Sequence, residues 1–82
     1  MITVTIDHLS GEPAYRQLAR VLREGIVSGT YAVGTQVPSA KTLSQQHGIA
    51  VGTVMRAFDV LRAEGLIRSV PGRGMFVVTR PA

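Results

Sequence analysis

The spacing of apolar residues divides most of this chain into three helical segments, and no other feature constrains its fold as strongly. Apolar side chains recur at intervals of three and four residues over 13–28, 40–46 and 51–64, as they do on the buried face of a helix. A glycine follows each segment within two residues, and glycine often stands just beyond a helix end. The inward-facing residues expected from this spacing are Tyr15, Leu18, Ala19, Leu22, Ile26, Ala40, Leu43, Gln46, Val54, Ala57, Phe58 and Leu61.

Short β-type patterns lie before and after the helical segments. Residues 2–6 alternate apolar and threonine side chains, which predicts a short half-buried strand. Residues 66–70 and 75–79 flank the sequence Pro-Gly-Arg-Gly at 71–74, which is typical of a hairpin tip. The predicted fold is therefore α+β: a winged helix-turn-helix with three helices, a C-terminal two-stranded β-hairpin wing and a short N-terminal strand.

The composition excludes several classes of protein. The chain has 82 residues, the size of one domain, and no cysteine, which excludes disulfides, thiolate metal ligands and cysteine nucleophiles. No apolar run approaches the ~20 residues of a membrane span, and no secretory signal precedes residue 13, so we expect a cytoplasmic protein without a membrane partner. His8 and His47 lie far apart in the sequence, so no metal and no other cofactor is expected. No set of nucleophile, base and orienting group is present, which argues against an enzyme.

The excess positive charge lies in the C-terminal half. The formal net charge is +4, and because arginines and carboxylates balance over residues 1–40, the whole excess falls in residues 41–82. A basic half indicates a polyanionic partner on that side of the molecule. The expected organisation is an N-terminal strand and turn over 1–12, a domain with the three helices and the hairpin wing over 13–79 and a tail over 80–82.

The second and third helical segments form a helix-turn-helix, and the basic hairpin follows it directly. A helix fits the major groove of B-DNA, where its first turn reaches the base edges. A flexible tip with one arginine suits the narrower, more negative minor groove. The residues expected to contact DNA are Ser39, Lys41, Val51, Gly52, Thr53, Met55, Arg56, Gly72, Arg73 and Gly74.

The first turns of the third helix supply half of these candidates. Thr53 and Arg56 lie opposite the apolar face, where they can contact DNA or be ordinary solvated residues. Val51, Gly52 and Met55 share or border that outward surface, and an outward methionine is hard to explain as core. Gly52 permits a close approach of the backbone, although its helix propensity is roughly 0.8–1.0 kcal/mol worse than that of alanine.

Several other polar residues can have a structural role instead of a DNA contact. Ser39 is expected first as the N-cap of the second helix, although a helix N-terminus can also hold a phosphate. Arg16, Arg20 and Arg23 are expected on a solvated face of the first helix. There Arg20 can pair with Glu24 one turn further along.

Five segments, in order and at the right spacing, resemble the GntR-type winged helix-turn-helix domain. They are residues 13–18 (PAYRQL), 33–39 (VGTQVPS, similar to the family's PGxxLPS), 48–54 (GIAVGTV, similar to GVSRxTV), 64–67 (EGLI) and 72–77 (GRGMFV, similar to GxGTFV). The resemblance covers residues 13–78, about four-fifths of the chain. It implies a bacterial transcription regulator that binds double-stranded operator DNA as a homodimer on a near-palindromic site. We expect a repressor rather than an activator, because occupancy alone can block a promoter. The resemblance also implies a C-terminal effector domain, and no small-molecule effector domain is expected within this chain.

The resemblance places the family's DNA contacts on particular residues, and some of them depart from the family pattern. A contact in the second helix falls on Lys41, the threonine is retained at Thr53, and the wing contact falls on residues 72–74. Ala50 and Val51 replace a serine and an arginine, and Met55 replaces a basic residue of some members. We therefore expect altered sequence preference or reduced affinity, and the alternative is a winged-helix protein-interaction module with weak or no DNA binding.

Overall fold

The computed structural model describes Ile6, Asp7 and residues 9–80. Its elements are α1 (Ala14–Ser28), α2 (Ala40–His47), α3 (Val51–Ala63), β1 (Ile67–Val70) and β2 (Gly74–Val77). The three predicted helices and the hairpin are confirmed, with bounds that differ by one or two residues. The strand predicted over 2–6 lies outside the described residues except for Ile6, which is buried in the core. No helix in the described part of the chain is long and apolar enough to cross a bilayer.

The core forms where α1 packs against α3. Leu18, Leu22, Val54 and Leu61 are at most 1% exposed, which confirms the apolar faces expected from the spacing. Burial of each such side chain contributes roughly 1.5–3 kcal/mol to stability.

The expected inward position of Gln46 is wrong, because the side chain is exposed. The inward side of α2 is centred on Leu43, Ser44 and His47, and residue 46 lies on the other side of Leu43.

The beginnings of the two helix-turn-helix helices differ. Ser39 caps α2 as predicted, since its Oγ accepts a hydrogen bond of 3.1 Å from the backbone N–H of Thr42. Ala50 stands at the equivalent position before α3 and supplies no such acceptor. The Thr53 N–H donates to the Ala50 carbonyl at 3.0 Å, and no side-chain cap among the described residues serves the N–H groups at the start of α3.

The wing includes a third extended segment that pairs with the outer edge of β2. β1 and β2 are antiparallel, and residues 35–37 lie along the opposite side of β2. Gln36 forms a β-bridge with Phe76, and the N–H of Val37 donates to the Met75 carbonyl at 2.8 Å. No pattern in the sequence predicts that the segment before Pro38 pairs with β2.

A buried glutamine fastens the N-terminal segment to α1. Gln17 is 4% exposed; its Oε1 accepts from the Asp7 N–H at 2.7 Å, and its Nε2 donates to the carbonyl oxygens of Asp7 and Glu12 at 2.8 and 2.7 Å. Because both ends of the side-chain amide are satisfied, its burial carries no unpaired polar group. The chain entering α1 is thereby held against the core.

Candidate nucleic-acid interface

α3 presents its first two turns to solvent on the side away from the core. Val51 and Met55 are 47% and 44% exposed, Arg56 is exposed, and a Cβ added at Gly52 would meet no atom within 4 Å. Thr53 is half-buried. The outward surface expected at the start of the third helix is therefore present, and most of it is apolar.

A shallow groove of about 240 Å³ runs between the start of α2, α3 and the wing. Three of the predicted site residues, Ser39, Met55 and Gly74, line it together. Gln36 and Arg62 lie in the same lining, and neither was predicted as part of the site. The helix-turn-helix and the wing thus share one concave surface.

The wing tip is a tight turn whose backbone also accepts a hydrogen bond from the side chain of Gln36. The Arg73 N–H donates to the Val70 carbonyl at 2.9 Å and closes the turn, while Gln36 Nε2 donates to the Arg73 carbonyl at 2.8 Å. Gly74 has φ of 109°, and a Cβ there would stand 2.6 Å from Gln36 Nε2, so both backbone conformation and space favour glycine. Gly72 and Arg73 are exposed at the tip. The sequence gives no signal for Gln36, whose role depends on a partner 37 residues away.

Arg56 lies on the opposite flank of α3 from the groove, against α1. Its guanidinium carbon is 4.4 Å from the centroid of the Tyr15 ring, within range of a cation–π interaction. Tyr15 was expected in the core, but it is half-buried, and its hydroxyl accepts from Arg16 Nε at 3.2 Å. The hydrogen bond and charge of Arg16, with a smaller contribution from Arg56, lower the pKa of the Tyr15 phenol below its usual value near 10. Met55 and Arg56 therefore lie on different surfaces of α3: Met55 lines the groove, and Arg56 contacts α1.

Several arginines are engaged in ion pairs. Arg20 pairs with Glu12 at 2.8 Å, so the expected pair with Glu24 is wrong; an arginine N-terminal to its glutamate is also the weaker i,i+4 orientation. Arg23 binds Glu64 through two hydrogen bonds of 2.8 and 2.6 Å, which join α1 to the end of α3. A further pair joins Arg62 to Asp59 within α3.

The remaining basic side chains lie mainly in the C-terminal half. Within residues 6–7 and 9–80, Lys41, Arg68 and Arg73 are exposed and form no ion pair. Arg80, expected as part of a tail, instead donates from Nε to the Val27 carbonyl at 2.9 Å, near the end of α1. A cation there is favourable because a helix C-terminus carries partial negative charge.

Sequence comparison relates this chain to bacterial regulators. The model of the family described as "Bacterial regulatory proteins, gntR family" matches residues 14–77. The HTH-type transcriptional regulator YjiR of Escherichia coli is 41% identical over 68 residues, which are 83% of this chain and 14% of YjiR. The probable rhizopine catabolism regulatory protein MocR of Rhizobium meliloti is 32% identical over 78 residues, 95% of this chain and 16% of MocR. The chain thus spans about one-seventh of the length of these relatives.

Solved structures share the fold over most of the chain. YtrA from Sulfolobus acidocaldarius, a GntR-family transcription factor, superposes with a TM-score of 0.82 at 33% identity and covers 93% of this chain and 80% of its own. AraR(DBD) in complex with operator ORX1 superposes with a TM-score of 0.84 at 26% identity and covers 92% and 95%. The fold, the exposed start of α3 and the family match agree: this chain belongs to the gntR family of bacterial regulatory proteins.

Proposed function

We propose that this domain binds double-stranded operator DNA and regulates transcription, with the start of α3 in the major groove and the wing in the minor groove. The observation that carries the proposal is the groove where Ser39, Met55 and Gly74 meet beside the exposed first turns of α3. The family and fold are those of DNA-binding transcription regulators. Support comes from AraR(DBD), whose structures were solved in complex with operators.

The exposed residues divide into two kinds of contact. Lys41 and Arg73 form no ion pair within the described part of the chain, so we assign them to the DNA backbone and the minor groove respectively. Val51, Gly52 and Thr53 lie at the first turn of α3, from which base edges are reached in the major groove. We assign Arg56, which contacts the Tyr15 ring, to a phosphate at the flank of α3.

The regulator is proposed as a repressor, because occupancy of an operator is by itself enough to block a promoter. We further propose that it binds as a homodimer to a near-palindromic site, in which each copy occupies one half-site. No group of three or more His, Asp or Glu residues that could hold a metal occurs among the residues described, so no metal chemistry is part of the proposal.

The proposal is tested by selecting bound duplexes from a random DNA pool and titrating the selected sequence by fluorescence anisotropy at several salt concentrations. We expect enrichment of two related half-sites and an affinity that falls as the salt concentration rises, because phosphate contacts release counterions. Arg73→Ala should weaken binding to all sequences similarly and reduce the salt slope by about 1. Arg68→Ala is the matched control, since it removes the same charge from β1 outside the predicted contacts.

A protein-interaction module is the second candidate, and the apolar exposure of Val51 and Met55 is the observation that favours it. A pull-down for protein partners, combined with a gel-shift measurement of DNA binding, separates the two functions. A stable protein partner together with no DNA retardation at low salt would establish the second candidate in place of the first. Equal effects of Arg73→Ala and Arg68→Ala would show that the wing tip is not a DNA contact.

A further inference from the structure

The part of α3 that would face the bases presents carbon rather than hydrogen-bonding groups. Ala50, Val51, Gly52 and Met55 have no side-chain donor or strong acceptor, and all four are exposed. Val51 and Met55 are four residues apart on one helix, so their Cβ atoms lie about 6 Å from each other on the same surface. Together they form an exposed apolar pair at the start of the helix.

Of the two polar side chains in these turns of α3, one is half-buried and the other lies on another flank of the helix. Thr53 is half-buried, and the Arg56 guanidinium lies 4.4 Å from the Tyr15 ring on the flank away from the groove. Met55, in contrast, lines the groove with Ser39 and Gly74. The apolar pair, not a bidentate side chain, therefore occupies the position from which a recognition helix contacts base edges.

The major groove has one apolar feature, the methyl group on C5 of thymine. An apolar side chain gains by covering that methyl, whereas it leaves the polar edge of a G·C pair unpaired and desolvated. We propose that Val51 and Met55 form a recognition site for the C5-methyl group of a pyrimidine, which is thymine in unmodified DNA and also occurs on 5-methylcytosine. This inference rests on the proposed entry of α3 into the major groove, and it assigns the sequence preference to methyl contacts.

The size of the effect follows from the size of the group. Burial of one methyl or methylene is worth about 0.8 kcal/mol, which corresponds to about a fourfold change in affinity. Two contacted methyl groups would give about a sixteenfold difference if they act independently. These changes are well within the range of an anisotropy titration.

The test uses the duplex selected from the random pool and replaces its thymines one at a time by deoxyuridine, which lacks only the methyl group. Affinity should fall about fourfold at one or two positions in each half-site and stay unchanged at the others. Replacing a sensitive T·A pair by C·G should weaken binding, and 5-methylcytosine in place of that cytosine should restore part of the loss.

Variants connect the methyl effect to the two side chains. Val51→Ala and Met55→Ala should each weaken binding to the thymine duplex and reduce the thymine–uracil difference, while both remain folded because the residues are exposed. Val33→Ala is the matched control: Val33 is 54% exposed and lies outside α3 and the groove, so both the affinity and the difference should persist.

Failure of the proposed DNA binding and failure of the methyl site would give different results. Absence of any DNA binding at low salt would overturn the proposed function itself. Salt-dependent binding with equal affinity for thymine and uracil at every position would leave that function standing and overturn the methyl site. A thymine–uracil difference that survives in both alanine variants would also overturn the assignment to Val51 and Met55.

Discussion

Two glycines inside helices have opposite surroundings, one crowded and one open. Gly25 in α1 lies under the Tyr31 ring, and a Cβ added to it would stand 2.6 Å from two ring carbons. Gly52 in α3 has nothing within 4 Å of its Cβ position. Packing within the domain accounts for the first glycine, whereas no contact within the described residues accounts for the second.

Gly52→Ala should therefore stabilise the domain and weaken DNA binding at the same time. Alanine improves helix propensity by roughly 0.8–1.0 kcal/mol, while its methyl group stands where the backbone would approach the duplex. Urea denaturation measures the first effect and anisotropy the second. Gly25→Ala is the control and should lose stability because Tyr31 must move. Unchanged affinity of Gly52→Ala would mean that the helix does not approach DNA closely at this point.

At the scale of elements, α1 and α3 are joined by two polar contacts as well as by the core. Arg56 stacks on Tyr15 near the start of both helices, and Arg23 binds Glu64 towards their ends. The Arg23 hydrogen bonds and charge lower the pKa of the Glu64 carboxyl below its ordinary value near 4.5. Folding therefore favours the ionised form of this carboxyl.

Glu64→Gln should reduce stability by about 0.5–1 kcal/mol at pH 7, a modest value because the pair is partly exposed and screened by solvent. The pKa of Glu64 is lower in the folded protein than in the unfolded chain. The parent is therefore more stable than the variant at a pH above the unfolded pKa near 4.5, and this difference disappears as the pH falls through the folded pKa. Urea denaturation at pH 7, 5 and 3 measures the difference. Glu24→Gln removes the same charge from α1 without breaking this pair, and a similar pH-dependent loss there would contradict the assignment.

The elements that the sequence predicts are those specified by local chemistry. The helices follow from apolar spacing, the Ser39 cap and terminal glycines, all of which act within a few residues. The exposure of Val51 and Met55 follows from the same periodicity. The contacts that were missed join residues distant in sequence, as in the pairing of Gln36 with Phe76, and no local pattern specifies which edge or ring a side chain will meet.

At the scale of the whole molecule, most of the basic side chains contact a partner within the domain. Of nine Lys and Arg residues, three form ion pairs with carboxylates, two contact Tyr15, and Arg80 binds a backbone carbonyl. Lys41, Arg68 and Arg73 remain without such a partner among the described residues, and all three lie within residues 41–82. Net charge alone would overstate the number of phosphates that the domain can neutralise.

The salt dependence of DNA binding should therefore be shallow. With Lys41 and Arg56 at phosphates and Arg73 in the minor groove as the charged contacts, the logarithm of the affinity should fall with the logarithm of salt concentration with a slope of about −3 per domain. Titrations between low and physiological salt measure this slope. A slope near −6 would instead show that the internal ion pairs open and their arginines turn to the DNA.

The strand pairing between residues 35–37 and β2 has a mechanical consequence. This segment leads directly through Pro38 to the Ser39 cap of α2, and the Gln36 side chain also holds the wing tip. The helix-turn-helix and the wing, which are assigned to adjacent grooves, are thus joined at a set separation. A duplex whose groove spacing differs from that separation must itself bend or twist, so base steps that deform easily would be favoured even where no side chain touches them.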